Sequence, residues 1–315
     1  MEWLALAFFS AILLGFYDAF KKKSLCDNAV ITVLFLNTVF SSIIFAPFIL
    51  LSYTGHTLDG SIFHVAAGGW EMHKYILLKS CIVLSSWIFG YFGMKHVPLT
   101  IYGPINATRP VMVLVGAMLI FGEILNGWQW MGVGLAVTSF LMLSRSAKKE
   151  HIDFKHDRWI YCIVIGAILG AFSGLYDKYL MASPIHGGVG LDKMMVQSWY
   201  NIYQMLMMGV IFLIAVFQPF ASLRGGQPLF PQTKFRWDWS IVMISVFLSA
   251  ADFVYLYSLS LDGAMISIVS MIRRGSVIVS FLFGAIFFHE KNLRSKVIDL
   301  LLVLLGMIFL YIGSM

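Results

Sequence analysis

The chain has 315 residues, 59% of them apolar and 12% charged, with a mean hydropathy of +0.83 and a formal charge of +6 at pH 7. Those figures exclude an ordinary soluble protein, and apolar runs long enough for a bilayer of about 30 Å recur throughout. A nucleic-acid binder would need a basic patch on a soluble domain, and none is visible; the positive charge is read as membrane topology, with no nucleic-acid partner. Cys26, Cys81 and Cys162 are odd in number and far apart, which suits neither a disulfide framework nor a zinc site, and no metal or other cofactor is expected.

The first apolar stretch, Trp3 to Phe20, precedes the basic run Lys21, Lys22, Lys23, the reverse of a cleavable signal peptide, so it is expected to stay as a span. Further spans are predicted from Ala29 to Leu51, Tyr75 to Gly93, Leu99 to Phe121 and Trp128 to Leu143. Five more follow, from Trp159 to Met181, Met194 to Phe217, Trp239 to Leu261, Ala264 to Phe288 and Leu293 to Ile312. All should be helices, because a lipid-exposed backbone must satisfy its own hydrogen bonds. The long connection from Ser52 to Lys74 carries His56, His64 and His73 without metal-ligand spacing and reads as a solvated loop. A second, from Gln218 to Asp238, is rich in Pro and Gly.

The basic stretch from Arg145 to Arg158 separates two sets of five spans, giving expected units 1–144 and 159–315 joined by a linker over 145–158. Lysine and arginine concentrate in the connections after odd-numbered spans, while the opposite side holds Lys74, Lys178 and Lys193. The positive-inside rule then puts the odd connections and the linker in the cytoplasm and both termini outside.

The two halves repeat. GFYD at Gly15 to Asp18 recurs as GLYD at Gly174 to Asp177, Asn37 has a counterpart in Asn201, and Glu123 one in Glu290. Five is odd, so the second copy must enter the membrane inverted. The expected fold is an all-α polytopic membrane protein of ten transmembrane helices in two inverted five-helix repeats. Such repeats characterise secondary transporters, with the substrate site near the midplane between the halves.

From Glu123 the chain reads EILNGWQWMGVGLAVTS, with Gln129 and Gly132 at fixed intervals and Ser139 where a second Gly would stand; the later copy from Glu290, EKNLRSKVIDLLLVLLG, keeps Gly306 but has Lys296 and Asp299 at the intermediate positions. This pattern resembles the signature closing each half of EamA-type members of the drug/metabolite transporter superfamily. The resemblance implies a ten-helix carrier in a membrane such as the bacterial inner (plasma) membrane, with a central cavity lined mainly by helices other than five and ten.

Setting aside every lysine and arginine assigned to a connection leaves four within spans: Lys79, Arg109, Arg273 and Arg274. Lys79 lies near a predicted helix end, where it can snorkel, and is given no role. The arginines lie about 15 Å from either end, and each costs roughly 3 kcal/mol unless water, a partner or substrate compensates. Asp252 is the deep acid in view, which leaves the cavity electropositive and favours an anionic or carboxylate-bearing substrate. The alternative is that the arginines only tie helices together.

Backbone irregularity marks the same place. Pro104 and Pro110 bracket Arg109, and Gly275 follows the arginine pair; aligned on the two glutamates, Pro110 corresponds to Val277. On the helical wheel Ser270, Arg273, Ser276 and Ser280 share a face, while Arg274 is turned about 100° away. The alignment matches Arg273 with Asn106 and Arg109 with Ser276. Ser245, Ser249, Asp252 and Tyr255 form a stripe on span eight, and Gln197, Asn201 and Gln204 one on span seven, for a cavity or for interhelical hydrogen bonds. Gly166, Gly170 and Gly174 have the spacing of close helix packing. Similarity to plastid triose-phosphate translocators, members of the same superfamily with a Lys-Arg pair in the ninth helix that contacts the substrate phosphate, suggests a phosphate only weakly, because arginine replaces the lysine here.

The expected function is secondary transport of a small anionic or amphoteric metabolite by alternating access. Arg109, Arg273, Asn106, Ser276 and Tyr255 would bind it; Asp252 paired with Arg274, together with Asp18 and Asp177, would couple or gate. An exporter of drugs or amino acids with structural arginines is the alternative, and a receptor, scramblase or intramembrane enzyme lies further off. No GxxxxGK[ST], HExxH or GxSxG motif supports ATP hydrolysis or catalysis. Monomer and dimer are equally open.

Overall fold

Each long apolar run closes its own backbone hydrogen bonds as a helix, since lipid offers peptide groups no other partner. The computed structural model describes residues 2–54, 58–109, 111–113, 115–116, 126–148, 156–181, 184, 188–222, 234–260, 269, 272–273, 275–289 and 293–314. Among them are ten helices: α1 (Glu2–Leu25), α2 (Val30–Thr54), α3 (Trp70–His96), α4 (Leu99–Ala107), α5 (Gly127–Lys148), α6 (Arg158–Met181), α7 (Lys193–Ser222), α8 (Ser240–Ser260), α9 (Ser276–Ile286) and α10 (Leu293–Ser314). Five are long and apolar enough to cross a membrane: α1, α2, α3, α6 and the Lys193–Phe217 part of α7. Shorter apolar helices lie in α5, α8, α9 and α10. The chain is a polytopic membrane protein, and Phe8, Ile12, Ile43, Leu213 and Leu301 are among the large apolar side chains left outward for lipid.

The helices alternate in direction. Where α1 ends, Lys22 Nζ donates to the carbonyls of Met94 (2.6 Å) and Val97 (2.7 Å), and Lys95 Nζ to that of Asn28 (2.8 Å). This basic end of the bundle is also where α6 begins, with the His96 ring stacked on Trp159 at 3.6 Å. The sixth helix therefore runs opposite to the first. Between the first five helices and the last five, packing pairs α1 with α8, α3 with α6, α2 with α7, α4 with α9 and α5 with α10, and adds α1 with α9, α4 with α6, α2 with α8, α3 with α7 and α4 with α10. Exchanging every helix for the one five places away turns all of these pairs except α4 with α10 into one another or themselves.

Polar groups and small residues hold these pairs, as expected where apolar burial gives helices no reason to prefer one another over lipid. Ser10 Oγ donates to Ala251 O (2.7 Å) between α1 and α8, and Ser86 Oγ to Gly166 O (2.7 Å) between the equivalent α3 and α6. Gly166 lets α6 approach so closely that a methyl there would lie 3.1 Å from the Ser86 carbonyl oxygen and 3.2 Å from the Gly90 nitrogen.

Predicted spans four and nine are interrupted, and at equivalent places. After α4, Thr108 N donates to Ile105 O (3.2 Å) and Val111 N to Thr108 O (3.1 Å). Before α9, Gly275 N donates to Ile272 O (2.8 Å) and Ile278 N to Gly275 O (3.0 Å). Both are three-residue bonds tighter than an α-helix, and aligning the halves on their glutamates superposes Thr108 on Gly275 and Ile105 on Ile272. The breaks thus coincide, where the proline and glycine positions alone placed them two residues apart. Pro110, Glu123, Ser270, Arg274 and Glu290 lie outside the described residues.

The connection between α2 and α3 is less solvated than its histidines suggested. Val65 is fully buried, and the Phe63 ring stacks between Phe48 of α2 (5.3 Å) and Phe253 of α8 (5.0 Å). His64 lies 3.3 Å from Asp59, and Tyr203 Oη bonds His73 Nδ1 at 2.8 Å. His56 is outside the described residues, and no metal-binding cluster occurs among the described ones.

Gly166→Val should lower the melting temperature in detergent by several degrees, because the added methyls meet backbone of α3 that cannot yield; overpacking of this kind costs about 1–3 kcal/mol. Gly134→Val in α5, where nothing lies within 4 Å, should melt like the wild type. Equal melting of the two variants would contradict the packing described.

Candidate functional site

Three groups of buried charge occupy the bundle. At its basic end, Lys21 Nζ lies 3.0 Å from Asp18 Oδ1, one helical turn away on α1, and Ser280 Oγ of α9 donates to Asp18 Oδ2 (3.3 Å). The ammonium sits over the rings of Tyr17 (4.3 Å), Tyr91 (5.2 Å) and Tyr102 (5.3 Å), from α1, α3 and α4. Aromatic faces attract a cation most strongly where water is absent. The side chains of Lys21 and Asp18 are 5% and 10% exposed, so this end is sealed.

The sequence had placed Lys21 in the connection after the first span and gave Asp18 a coupling or gating role. Helix α1 instead continues to Leu25, which draws Lys21 inside the bundle beneath the tyrosines.

The second group lies toward the opposite end. Lys79 Nζ of α3 pairs with Asp177 Oδ1 of α6 and lies 5.3 Å from the ring of Tyr200 on α7. Tyr200 Oη donates to Asp252 Oδ2 of α8 (3.1 Å), and Arg273 Nη2 donates to Asp252 Oδ1. The Arg273 guanidinium also stacks over Tyr255 at 4.3 Å. Two ion pairs are therefore joined through one tyrosine. Asp252 and Arg273 are 15% and 17% exposed and Asp177 30%, so this end is more open than the basic one.

Two sequence expectations are corrected here. Lys79 was set aside as a snorkelling residue, but α3 starts at Trp70, five residues before the predicted start, which carries Lys79 deep enough to need a carboxylate. Asp252, expected beside Arg274, is held by Arg273. The wheel that aligned Arg273 with Ser276 and Ser280 assumed one continuous helix, and the three-residue bonds at Gly275 shift Arg273 relative to both. Arg274 lies outside the described residues.

Arg109 forms the third group, just beyond the break after α4. Its Nη2 donates to Gly166 O (3.2 Å), and its guanidinium fills the space that Gly170 leaves on α6, where a methyl would come within 2.4 Å of Cζ. Gly170, expected to serve helix packing, thus makes room for a charge. The Nε–H groups of Arg109 and Arg273 are both buried and make no hydrogen bond among the described residues. Asn106 stands half-buried in the last turn of α4, and Ser276 opens α9 as the first residue after its break.

The stripes on α7 and α8 have mixed fates. Ser245 Oγ bonds Asn37 O (3.1 Å) and Oδ1 (3.0 Å), and Ser42 Oγ bonds Asn201 O (2.9 Å), so these residues join helices. Buried beside them, Gln204 leaves both amide atoms, and Gln197 and Asn37 their side-chain nitrogens, without a partner among the described residues. A cavity of about 760 Å3 opens at the far rim, lined by Tyr53, Asp59, His64, His73 and Trp199, away from the arginines.

Comparison with known proteins agrees with this architecture. One solved structure, a crystal structure described only as that of a protein, superposes with a TM-score of 0.61 over 98% of this chain and 97% of its own, at 11% identity; so low an identity speaks for the fold alone. No curated protein matches the chain. Residues 1–145 match the EamA-like transporter family, a family of transporters rather than enzymes. The first half of this membrane protein is accordingly an EamA-like transporter domain of the drug/metabolite transporter superfamily.

Proposed function

We propose that the protein is a secondary transporter moving a small anionic or amphoteric metabolite by alternating access of two inverted five-helix repeats, 1–144 and 159–315, joined by the basic linker 145–158. The family match supports a secondary transporter. The self-exchanging helix pairs and the coincident breaks at Thr108 and Gly275 support the repeat. The basic end would face the cytoplasm by the positive-inside rule, with both termini on the far side.

One observation carries the choice of substrate: Arg109 and Arg273 each bury a guanidinium Nε–H that finds no acceptor among the described residues. An arginine stays charged at any physiological pH, and its buried donors cost free energy until an acceptor arrives. A carboxylate or other oxyanion is the acceptor that matches in charge and geometry. Asn106 and Ser276, at equivalent breaks, would add polar contacts, and Tyr255 would hold the Arg273 plane.

Gating follows from the charged ends. Asp18 with Lys21 would close the basic end, while Asp177 with Lys79, and Asp252 with Arg273 and Arg274, would form contacts that exchange as the halves rock. Export of drugs or amino acids with structural arginines is the second reading, favoured by the partners the arginines already have in Gly166 and Asp252. Competition between small anions and bulky cations separates the two.

Arg109→Gln should fold at least as well as the wild type, because it removes a charge that costs roughly 3 kcal/mol in lipid. Binding of lactate, glutamate or methanesulfonate, read as thermal stabilisation of purified protein, should fall about tenfold or more. Gly170→Ala should likewise keep the melting temperature, since only the tip of Arg109 must move, and lose affinity with it. Unchanged anion binding in both variants would contradict the assignment of Arg109. Arg273→Lys keeps a cation for Asp252 but loses the planar fork, so anion affinity should drop about tenfold while the protein stays folded; wild-type affinity would assign the arginine a structural role.

A further inference from the structure

Asp252 occupies its arginine in an unusual way. A carboxylate opposite a guanidinium commonly spans two parallel N–H groups. On Arg273 the edge formed by Nε and Nη2 is half used: Asp252 Oδ1 takes Nη2 and leaves Nε without an acceptor. The Tyr255 ring covers the face of the guanidinium, not this edge. The other Asp252 oxygen is occupied by the Tyr200 hydroxyl at 3.1 Å, so Asp252 cannot swing to span the edge without giving up that bond.

Charge around this pair is balanced. Facing Asp252 are Arg273, Tyr200 of α7 and, on its own helix, Tyr255; Lys79 of α3 lies beyond the Tyr200 ring and is paired with Asp177 of α6. The described residues of α1 and α2 that bond to α8 offer Ser10, Trp3 O and Asn37, none of them charged. Among the described residues, the two cations and two carboxylates of this group cancel. A substrate anion entering it adds an uncompensated negative charge in a low-dielectric site, which is strongly unfavourable.

We infer that Asp252 stands in for the substrate anion on Arg273, and that an entering anion spans the Nε–Nη2 edge, displaces Asp252 and causes it to take up one proton, coupling anion transport to protons. This rests on the anionic reading given above. The balance is simple: the carboxylate of Asp252 and one proton become a neutral carboxyl, and the anion inherits Arg273. Among the described residues, the displaced acid retains the neutral Tyr200 hydroxyl, because Lys79 is held by Asp177. Partial exposure of both Asp252 and Arg273 lets anion and proton arrive from the same side. When the anion leaves, Asp252 must lose its proton to recover the ion pair, so proton and anion move together.

The test is isothermal calorimetry of purified protein with lactate, glutamate and methanesulfonate, whose anionic groups do not titrate between pH 6 and 8. Binding should tighten toward about tenfold for each unit by which pH falls, since the complex holds one more proton than the free protein. Two buffers of different ionisation enthalpy should report uptake of about one proton per anion. Asp252→Asn should bind the same probes with affinity independent of pH and no proton uptake. The wild-type proton count decides the matter even where that variant folds poorly. Binding that is independent of pH and takes up no proton overturns the coupling and leaves the anionic reading intact. If no probe binds the wild type or Asp252→Asn, the anionic reading fails and this inference falls with it.

Discussion

A charge inside a bilayer has no water to answer it, so each buried cation must find its counterpart in the protein or in what the protein carries. Lys21 is answered by Asp18 and three tyrosines, Lys79 by Asp177, and Arg273 by Asp252. Arg109 has a backbone carbonyl and no salt bridge among the described residues. The pairs are arranged by depth: one lies sealed at the basic end, two are linked through Tyr200 toward the other, and Arg109 stands beside the break after α4. Ion pairs at two ends and spare guanidinium donors between them suit a carrier that opens one end at a time.

Helix geometry makes this distribution possible. The breaks at Thr108 and Gly275 turn each chain out of its helical path next to an arginine or its counterpart serine, and Gly170 leaves room for Arg109 where a side chain would fill it. Gly15 does the equivalent service for the other half, bringing α1 against Val279 and Ser276 of α9, as Gly174 brings α6 near Val113. Each YD motif thus follows a glycine through which its helix packs, α1 onto α9 and α6 onto the segment after α4.

Much of this was legible in the sequence, for identifiable reasons. Apolar runs set the helices, and paired motifs such as GFYD and GLYD set the correspondence of halves, because both are local patterns. Proline and glycine located the breaks to within two residues. Less legible were the partners. Lys21 and Lys79 appeared superficial because hydropathy ends a span where charge begins, whereas a helix continues if its charge is neutralised by another helix. Arg273 was set on one face with Ser276 and Ser280 by a wheel that cannot be carried through the three-residue turn at Gly275, and its partner Asp252 lies on another helix. The tyrosine cage assembles from α1, α3 and α4, and no spacing in one segment announces it.

The central claim is that a substrate anion completes the buried guanidinium groups. It is tested most directly by crystals of the wild-type protein grown with bromomethanesulfonate, whose bromine scatters anomalously. The account predicts a bromine peak a few ångströms from Arg273 or Arg109, with Asp252 withdrawn from Arg273 wherever the sulfonate takes that edge. A well-ordered peak elsewhere, with both guanidinium groups unchanged and Asp252 still paired, would contradict it.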